Sequence, residues 1–593
     1  MSVITKSRMQ RMHLMEIFWA VISFLAIALV AWIPMTQCQQ FLFGFIVVVA
    51  CIGFGALTKA RFATHFMMTA SVGVSVRYIW WRIHMVYAFG HGGQWNASMT
   101  RDLIFMLVLL LAEMYSVLVL LLGHFQSVAP LKRQPCPLPE DRMLWPQVDI
   151  FIPTYNEPLD LVRRTVVAAM ELEWPREKLR VVLLDDGGRA EFRAFVEQEG
   201  VDYVARAEHH HAKAGNINHA LIGSHAAFVA IFDCDHVPTR DFLLMTMGWM
   251  LKDEKIGLLQ TPHHFYSPDP IERNLGLFRT VPNEGELFYG VIQDGNDLWN
   301  ATFFCGSCAI LRRAALDEIG GIAVESVSED AHTSLRMQMK GWNTAYLNMI
   351  LSAGLATESV AAHVTQRVRW ARGMIQILRM DNPLLAKGLS FTQRLCYLNS
   401  MLHFMYAAPR LIFLLSPLTY LLLGQVNIPG RWLTILTYAM PHLILAIITN
   451  SRLQGHKRHS FWSEVYETIL SPFIFLPTWL AMLNPKLGKF NVTQKGSQQD
   501  GRFDSAMARP FLVLLLLNLI GLGLAVMRYL YWNTDHRDTV IVNAIWVLFN
   551  MIILGVTVAV CLEKRQRRGS NPTSVLKTLN LLILGMTALQ EIQ

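Results

Sequence analysis

Four short motifs in this chain combine carboxylates with cations and an indole. In chain order they are Leu184-Asp185-Asp186-Gly187-Gly188, Phe232-Asp233-Cys234-Asp235, Ser328-Glu329-Asp330 and Gln366-Arg367-Val368-Arg369-Trp370. Carboxylates can ligate a divalent cation or accept a proton, and a guanidinium can bind a diphosphate. Together the motifs offer nucleotide contacts, a metal pair, a base and a cationic and aromatic floor, which are the parts that group transfer from a nucleotide diphosphate requires.

Asp233 and Asp235 are the candidate metal ligands. In an extended segment, residues two apart point their side chains to the same side. Hard oxygen ligands favour Mg²⁺ or Mn²⁺, and such an ion would also hold phosphates and neutralise charge on a leaving group. The alternative is a turn with solvated acids, which the apolar run ahead of the motif disfavours.

Asp330 is the candidate general base. It precedes a helix-like run at residues 331–337. An acid at a helix start is often only a cap. The same position also orients a carboxylate toward an acceptor hydroxyl, so capping and catalysis are compatible.

Gln366, Arg369 and Trp370 have the spacing i, i+3, i+4, which places them on one face of a helix. The guanidinium can grip a diphosphate, and the indole offers a flat apolar surface to a substrate ring. The alternative is an amphipathic interfacial helix whose Arg and Trp lie at headgroup level. Both interpretations can hold for an enzyme that works at a membrane surface.

The elements that must position these motifs form an α/β pattern. Apolar strand-like runs at 148–153, 179–184 and 227–232 are joined by segments that include a helix-like stretch at 158–172. Such alternation predicts a largely parallel sheet, which binds ligands at the carboxyl ends of its strands. Asp185 and Asp233 follow two of these strands, although a parallel sheet alone does not decide function.

Composition predicts an integral membrane protein. Of the 593 residues, 53% are hydrophobic and only 16% are charged. Eight apolar stretches are long enough to cross a bilayer, four on each side of the α/β region. They lie near 17–34, 40–57, 64–83, 103–124, 401–424, 432–450, 510–530 and 540–562. The first is interpreted as a retained span and not as a signal peptide, because no small-residue cleavage site follows it.

The distribution of cations predicts the orientation. Lys and Arg residues near 6–11, 59–61 and 132–133 fall on alternate sides of successive spans, and these sides are expected to be cytoplasmic. Residues 130–400 are then cytoplasmic as well. A ninth apolar stretch, 461–483, contains two glutamates and two prolines, and we assign it to the membrane surface. The net charge of +8 is explained by the cytoplasmic loops and does not indicate nucleic-acid binding.

With these residues in place, the chain resembles the bacterial cellulose synthase catalytic subunits, which are processive family-2 glycosyltransferases. The resemblance runs from about residue 75 to 565. Further matching segments are Phe-Ile-Pro-Thr-Tyr-Asn-Glu at 151–157, His-Ala-Lys-Ala-Gly-Asn at 211–216, Thr-Phe-Phe-Cys-Gly-Ser at 302–307 and Phe-Asn-Val-Thr-Gln-Lys-Gly at 490–496. The last two go beyond what generic sugar transferases share.

The resemblance implies a multi-pass α-helical protein of the bacterial inner membrane, with about eight spans and an inserted cytoplasmic domain of GT-A type. The implied divisions are a first transmembrane block at 1–130, the glycosyltransferase domain at 131–385, a second transmembrane block at 386–562 and a cytoplasmic tail at 563–593. The second block would include the interfacial helix and a gating loop at 486–500.

It also implies residue roles for transfer of glucose from UDP-glucose to a growing β-1,4-glucan. The implied catalytic carboxylates are Asp185, Asp233, Asp235 and Asp330, with Mg²⁺ or Mn²⁺ on Asp233 and Asp235. The implied substrate contacts are Tyr155, Glu157, Asp186, Lys213, His236, Phe304, Cys305, Gly306, Gln366, Arg369 and Trp370. The implied gating-loop residues are Phe490, Val492, Thr493 and Lys495.

The implied partners are membrane lipid and a periplasmic, membrane-anchored cellulose synthase accessory subunit. Two departures from the family stand out. Ser328 replaces the usual Thr, which keeps a hydroxyl. The family normally continues into an arginine linker and a PilZ domain that binds cyclic di-GMP, whereas here the linker-like residues 563–568 give way to an unrelated segment that stops at 593. We therefore expect no direct cyclic di-GMP binding by this chain.

Two rival interpretations remain. Hyaluronan, chitin and curdlan synthases share the acidic motifs and the Gln-x-x-Arg-Trp pattern, so the sugar is the weakest part of the assignment. The segments at 302–307 and 490–496 favour glucose. The second alternative is a protein without enzymatic activity, namely a pore or assembly subunit. The intact acidic motifs argue against it.

Overall fold

The computed structural model describes residues 22–91, 96–486, 502–533 and 536–564. Its strands are β1 Val148–Thr154, β2 Leu179–Asp185, β3 Asp202–Val204, β4 Phe228–Ile231, β5 Val237–Pro238, β6 Ile256–Gln260, β7 His264–Phe265, β8 Ala309–Arg312, β9 Asn343–Tyr346 and β10 Ser352–Gly354. The three strands expected from the sequence are therefore confirmed as β1, β2 and β4.

The helices fall into two groups, one around the sheet and one of long apolar helices. In chain order they are α1 Ile22–Trp32, α2 Gln37–Leu57, α3 Arg61–His91, α4 Ala97–Ser127, α5 Leu159–Met170, α6 Ala190–Glu199, α7 Ala212–Ile222, α8 Phe242–Lys252, α9 Pro270–Leu275, α10 Glu284–Leu287, α11 Gln293–Leu298, α12 Arg313–Ile319, α13 Glu329–Met339, α14 Val360–Met380, α15 Phe391–His403, α16 Ala407–Leu423, α17 Trp432–Gln454, α18 Ser460–Leu483, α19 Ser505–Met527 and α20 Arg537–Val560. The helix expected at 158–172 is α5.

A seven-stranded sheet has the order β3-β2-β1-β4-β8-β6-β9. The pairs among β1, β2, β3 and β4 are parallel, while β8 runs antiparallel to both β4 and β6. Alternate residues of β1 pack into different apolar clusters, Ile150 on one face and Phe151 on the other. Because helices cover both faces, the central residues of β1 and β2 are apolar, from Ile150 to Ile152 and from Val181 to Leu184. The carboxyl ends of β1, β2 and β4 thus share one edge.

A small sheet with the order β5-β10-β7 lies next to this edge. β10 pairs antiparallel with β5 and parallel with β7. At the end of β10, Gly354 allows His236 to pack closely, since a Cβ on Gly354 would lie only 2.5 Å from His236 Nε2. The small sheet therefore fixes the position of the His236 ring.

Six of the described helices are long and apolar enough to cross a membrane: α2, α4, α17, α18, α19 and α20. The bent pair of α15 and α16, with a 49° bend, makes a seventh if it counts as one span. Of the eight predicted spans, five thus correspond to described helices that meet this criterion, α2, α4, α17, α19 and α20, and the stretch 401–424 corresponds to the bent pair, so a total of eight is not confirmed. α3 does cover the predicted stretch 64–83 as one helix, but it carries the buried Arg77 and Arg82 and does not meet the same apolar criterion. Only the part of the first predicted span from Ile22 onward is described.

The stretch 461–483, assigned above to the membrane surface, forms α18, which meets the length and composition criterion of a span, with half of its apolar window buried inside the protein. α14 packs along α18 through an apolar cluster that α20 also joins. Val364 of α14, Val465 of α18 and Ile553 of α20 are members of this cluster. α14 therefore lies between the sheet region and the long apolar helices.

Candidate functional site

Asp185, the last residue of β2, is fully buried and surrounded by donors. Its carboxylate accepts from the backbone N–H groups of Gly187 at 3.0 Å and Arg189 at 2.7 Å, and from the Tyr203 hydroxyl at 2.9 Å. The Arg189 guanidinium adds an ion pair at 2.9 Å. These bonds fix the turn that follows β2.

Asp186 forms a two-point ion pair with Arg206, with Nε to Oδ1 at 2.5 Å and Nη2 to Oδ2 at 2.8 Å. Both side chains are less than a tenth exposed. Arg206 also donates to the carbonyls of His210 at 2.7 Å and Ala212 at 2.8 Å. The pair thus joins the end of β2 to the loop that leads into α7.

Glu157 closes the neighbouring turn after β1. Its carboxylate accepts from the Thr154 hydroxyl and from the Tyr155 N–H, each at 2.9 Å. Arg189 donates to the Glu157 carbonyl at 2.6 Å, so this turn and the Asp185 turn share one guanidinium. The Tyr155 side chain is exposed beside them. The structure therefore brings together the residues that were expected to contact the nucleotide.

The Asp233–Asp235 segment is a turn, and the expectation of an extended segment is wrong. The His236 N–H donates to the Asp233 carbonyl at 2.9 Å, and the Asp233 N–H donates to Ser307 Oγ at 2.8 Å. The turn still brings the ligand atoms of Asp233, Asp235 and His236 within 4.8 Å of one another. Their convergence comes from the turn hydrogen bond and not from strand alternation.

This cluster has the donor set of a divalent cation site. Two carboxylates and one imidazole are suitable ligands for Mg²⁺ or Mn²⁺. His236 Nδ1 lies 3.3 Å from Asp235 Oδ1. Within the described residues, His236 Nε2 is buried and has no hydrogen-bond partner. The ring nitrogen that faces the carboxylates is therefore Nδ1, while Nε2 packs against Gly354, and Nδ1 is the His236 atom that could join Asp233 and Asp235 around a cation.

Lys213 lies in the first turn of α7 and reaches across the sheet edge. Its ammonium donates to the Asp233 carboxylate and, at 2.6 Å, to the Gly306 carbonyl. Burial alone would lower the pKa of Lys213, but the carboxylates of Asp233 and Glu329 outweigh this effect and raise the pKa. Lys213 is therefore positively charged throughout the neutral pH range. Its ammonium lies beside the candidate metal ligands Asp233 and Asp235.

Gly306 makes a close approach possible between two of these groups. It has φ of +86°, in the region that favours glycine, and a Cβ here would lie 3.1 Å from Asp330 Oδ2 and 3.5 Å from Lys213 Nζ. The loop is held on both sides, because the Phe304 N–H donates to Ser334 Oγ at 2.6 Å and the Cys305 N–H donates to Gln260 Oε1 at 2.9 Å. A side chain at Gly306 would separate Asp330 from Lys213.

Asp330 is the second residue of α13, and its Oδ1 accepts from the Ala331 N–H at 2.8 Å. Ser328, at the N-cap position, makes no capping hydrogen bond through its side chain. Burial and the neighbouring Glu329 carboxylate raise the pKa of Asp330 to about 7, against the opposing influence of that backbone bond, Lys213 and Arg369. A carboxylate that titrates near neutrality is suited to accept a proton.

α14 carries Gln366, Arg369 and Trp370, which confirms that they lie on one helix. Arg369 is close enough to lower the pKa of Asp330. Arg367 lies with its guanidinium carbon 4.2 Å from the centre of a Trp370 ring, and its Nε pairs with Glu284 at 2.8 Å. Trp370 is thus held from one side by a cation that is itself anchored. α14 thus carries the three residues of the motif and also packs along α18.

Comparison with known proteins agrees with this geometry. A family model described as glycosyl transferase family group 2 matches residues 228–451. The chain is 52% identical to the cellulose synthase catalytic subunit (UDP-forming) of Pseudomonas fluorescens strain SBW25, over 86% of this chain and 68% of that protein. The chain belongs to the cellulose synthase catalytic subunit family. The protein of the same name from Xanthomonas axonopodis pv. citri strain 306 is also 52% identical, over 95% of this chain and 76% of its own.

Sequence analysis missed several side chains that hold the site of this cellulose synthase family member: Arg189, Arg206, Gln260 and His263. His263 lies with its ring 4.9 Å from that of His236, and burial lowers its pKa to about 3, so the ring is neutral. Gln260 is the last residue of β6 and His263 follows three residues later. The strand-end rule that found Asp185 and Asp233 would have found them too.

The expected gating-loop residues Phe490, Val492, Thr493 and Lys495 lie outside the described residues, which resume at Arg502. The arginines of the linker-like segment after Lys564 also lie outside them.

Proposed function

We propose that this cellulose synthase family member transfers glucose from UDP-glucose to the 4-hydroxyl of a growing β-1,4-glucan. The observation that carries the proposal is the convergence of Asp330, Lys213 and Asp233 around the Gly306 loop, with Arg369 of α14 nearby. A nucleotide sugar would bind at this edge of the sheet. The groups that meet there are the Asp330 carboxylate, the Lys213 ammonium, the Arg369 guanidinium and the turn that carries the candidate metal ligands.

The transfer is a single displacement. The acceptor O4 attacks C1 of the donor glucose from the face opposite UDP, and its proton passes to the Asp330 carboxylate. The bond between C1 and the diphosphate oxygen breaks, and its electron pair leaves with UDP. An α-linked donor thus gives a β-linked product. A pKa of about 7 lets Asp330 hold this proton and release it to water afterwards.

The donor side is the edge formed by β1 and β2. We assign uridine and ribose contacts to Tyr155, Glu157, Asp185 and Asp186, whose turns are tied together by Arg189 and Arg206. Lys213 pairs with Asp233, the carboxylate to which we assign the cation, so its ammonium lies beside the position proposed for the diphosphate. A preorganised pocket of this kind avoids the cost of ordering loops when the substrate binds.

We assign a divalent cation, Mg²⁺ or Mn²⁺, to Asp233 and Asp235, with His236 at the same turn. When bound there, the cation neutralises charge on the leaving diphosphate. Asp233 would share its charge between this cation and Lys213. Lys213, which pairs with Asp233, would add a second positive charge beside this site.

The acceptor side is formed by the Gly306 loop and α14. We assign the terminal acceptor glucose to His236, Phe304, Cys305 and Trp370. Gln366 and Arg369, on the same helix as Trp370, hold the diphosphate. An indole provides a flat apolar face for a sugar ring, and a guanidinium binds phosphate oxygens through paired donors.

We propose that the catalytic region, 131–385, is a GT-A domain on the cytoplasmic side of a bacterial inner membrane, between the transmembrane blocks 1–130 and 386–562, and that the glucan leaves between the spans. The support is the packing of α14 along α18, which places the acceptor helix against the apolar helices. We propose further that residues 486–500 gate the site and that membrane lipid and a periplasmic accessory subunit are partners.

Product analysis tests the proposal. Membranes containing the protein receive labelled UDP-glucose and Mg²⁺, and the product is digested with a β-1,4-glucanase. Labelled UDP-N-acetylglucosamine and UDP-glucuronate are supplied in parallel, and the Asp330→Asn variant is the control. We expect a glucanase-sensitive polymer from UDP-glucose alone. A resistant glucose polymer, a polymer from another donor or no polymer at all would each overturn the assignment.

A further inference from the structure

Glu563, just after the end of α20, makes contacts far from its own helix. Its side chain is buried, with 6% of the residue exposed. Oε1 accepts from the Val360 N–H at 2.7 Å, and Oε2 accepts from Asn274 Nδ2 at 3.1 Å and from the Arg273 guanidinium. One carboxylate therefore joins α9, α14 and the end of α20.

The backbone around Glu563 makes a second set of bonds. The Glu563 N–H donates to the Arg502 carbonyl at 3.1 Å, and the Asp504 N–H donates to the Cys561 carbonyl at 2.9 Å. Phe503 and Leu562 form an antiparallel bridge between them. The start of α19 and the end of α20 are thus locked together at the residue whose side chain reaches α14.

α9 gives this junction a rigid base. Most of α9 is buried, and Asn274 donates to the Val560 carbonyl at 2.8 Å while accepting from the Lys564 N–H at 3.0 Å. Arg273 also donates to the Glu358 carbonyl, just ahead of α14. The Asp269 carboxylate at the α9 N-cap accepts from the Tyr466 hydroxyl of α18 at 2.7 Å. Neighbours on every side therefore limit how far Glu563 can shift.

The contact with Val360 concerns the catalytic helix directly. Val360 is the first residue of α14, and its N–H is one of the groups that a helix cannot satisfy internally. Glu563 places a negative charge at the positive end of this helix. Arg369 lies nine residues further along the helix, a distance of about 14 Å at a rise of about 1.5 Å per residue. Because α14 is continuous from Val360 to Met380, a shift of its first turn would be carried along the helix to Arg369 and Trp370.

We propose that Glu563 is a positioning residue for α14, so that the end of the last apolar helix fixes where Gln366, Arg369 and Trp370 stand relative to Asp330. This inference rests on the proposed function for its kinetic readout.

A double-mutant cycle tests the proposal in the full-length protein. We expect Glu563→Ala to lower kcat/KM for UDP-glucose by about tenfold to 100-fold, because small misplacements of positioning groups have effects of this size. In an Arg369→Ala background the same change should cost less than about twofold, since the contact that it positions is already lost. In a Tyr155→Ala background, where the lost side chain belongs to the turn after β1 and not to α14, the full loss should persist.

Two further variants keep the test decisive if Glu563→Ala folds poorly. Glu563→Gln keeps the shape and one acceptor oxygen but not the charge, and should give an intermediate loss. Arg273→Ala removes a partner of the same carboxylate and should not add to Glu563→Gln. Asp538→Asn, an exposed carboxylate near the other end of α20, is the matched control and should keep wild-type kinetics. Equal losses from Glu563→Gln in the Arg369 and Tyr155 backgrounds would overturn the proposal.

The affinity for UDP, measured by calorimetry, separates this inference from the proposed function. If Glu563 positions Arg369, the Glu563→Gln variant should bind UDP more weakly, whatever polymer the wild type makes. Wild-type protein that binds UDP but makes no glucan would contradict only the proposed function. Unchanged UDP affinity and unchanged kcat/KM in a folded Glu563→Gln variant would contradict the positioning role.

Discussion

Two pairs of carboxylates lie in the candidate site and have opposite surroundings. Asp185 and Asp186 are held by the protein's own donors, among them Arg189 and Arg206. Asp233 and Asp330 instead face each other across Lys213 and the Gly306 loop. The first pair fixes the conformation of the loops after β2 and before α7. The carboxylates of the second pair both face the space around Lys213 and Gly306.

The difference shows that an acidic residue at the end of a strand or the start of a helix does not reveal its role by position alone. A carboxylate that accepts several bonds from a fixed turn has little capacity left for a substrate proton. Asp330 accepts a single backbone bond in the structure and has a pKa raised to about 7 by burial and Glu329. We therefore separate the four acids into positioning and reacting groups, and the predictions below test this separation.

The largest effect is expected from Asp330→Asn. The amide keeps the shape but cannot accept the proton, so polymer formation should fall by about 10²–10⁴-fold, the typical loss for a general base. UDP affinity, measured by calorimetry on the same preparation, should stay near that of the wild type. An Asn variant with more than about a tenth of the wild-type rate would show that Asp330 is not the base.

Asp233→Ala and Asp235→Ala should each abolish the metal-dependent part of turnover, because oxygen ligands hold a hard cation. The matched control is Cys234→Ser between them. Cys234 is buried in the apolar cluster on one face of the sheet, and its sulfur is not expected to bind this cation. Rates are measured across a titration of Mg²⁺ and Mn²⁺. A folded but inactive Ser variant, or a requirement for zinc, would contradict the assignment.

Asp186→Asn should act mainly on stability. It removes one charge from a buried ion pair with Arg206, a change that costs about 3–5 kcal/mol when a partner is left uncompensated. We expect a lower unfolding temperature and a higher KM, with a smaller fall in kcat than for Asp330→Asn. Asp317→Asn, which breaks the exposed pair with Arg313, should change the unfolding temperature little. A loss of kcat equal to that of Asp330→Asn, in a stable protein, would remove the distinction between the two pairs.

The smallest effect is a shift in pH dependence. Because the pKa of Asp330 is raised to about 7, the base is protonated below that pH, and kcat/KM should fall about tenfold per pH unit on the acidic side. Glu329→Gln removes a carboxylate that raises this pKa, so the acidic limb should move to lower pH. Profiles of kcat/KM from pH 5 to 9 measure the shift. A limb that stays in place or moves to higher pH would exclude Glu329 as a cause.

Some features could be predicted because they depend on local patterns. The runs at 148–153, 179–184 and 227–232 became β1, β2 and β4 within one or two residues, since buried parallel strands require continuous apolar sequence. The antiparallel β8, which lies between β4 and β6, was not predicted. Its partners are distant in sequence, and no local pattern records which strand an apolar run will join.

The number of spans shows a different limit. Hydropathy correctly indicated long apolar helices, but α3 carries two buried arginines, and α18 was assigned to the surface because of its glutamates and prolines. Arg82 pairs with Glu113 of α4 at 2.7 Å, and Arg410 of α16 pairs with Glu464 of α18. These ion pairs form only when the helices pack together. A hydropathy scale that scores one helix at a time cannot take such pairs into account.

The sequence by itself determined the residue types, the strand ends that carry Asp185 and Asp233, and the helical face that carries Gln366, Arg369 and Trp370. Each depends on a period of two or 3.6 residues within one element. Only the tertiary structure decided that Lys213 bonds Gly306, 93 residues away, and that Glu563 caps α14, 203 residues away. Such contacts follow from how buried charges and unpaired helix ends find partners when the elements pack, and that choice is made by the whole fold.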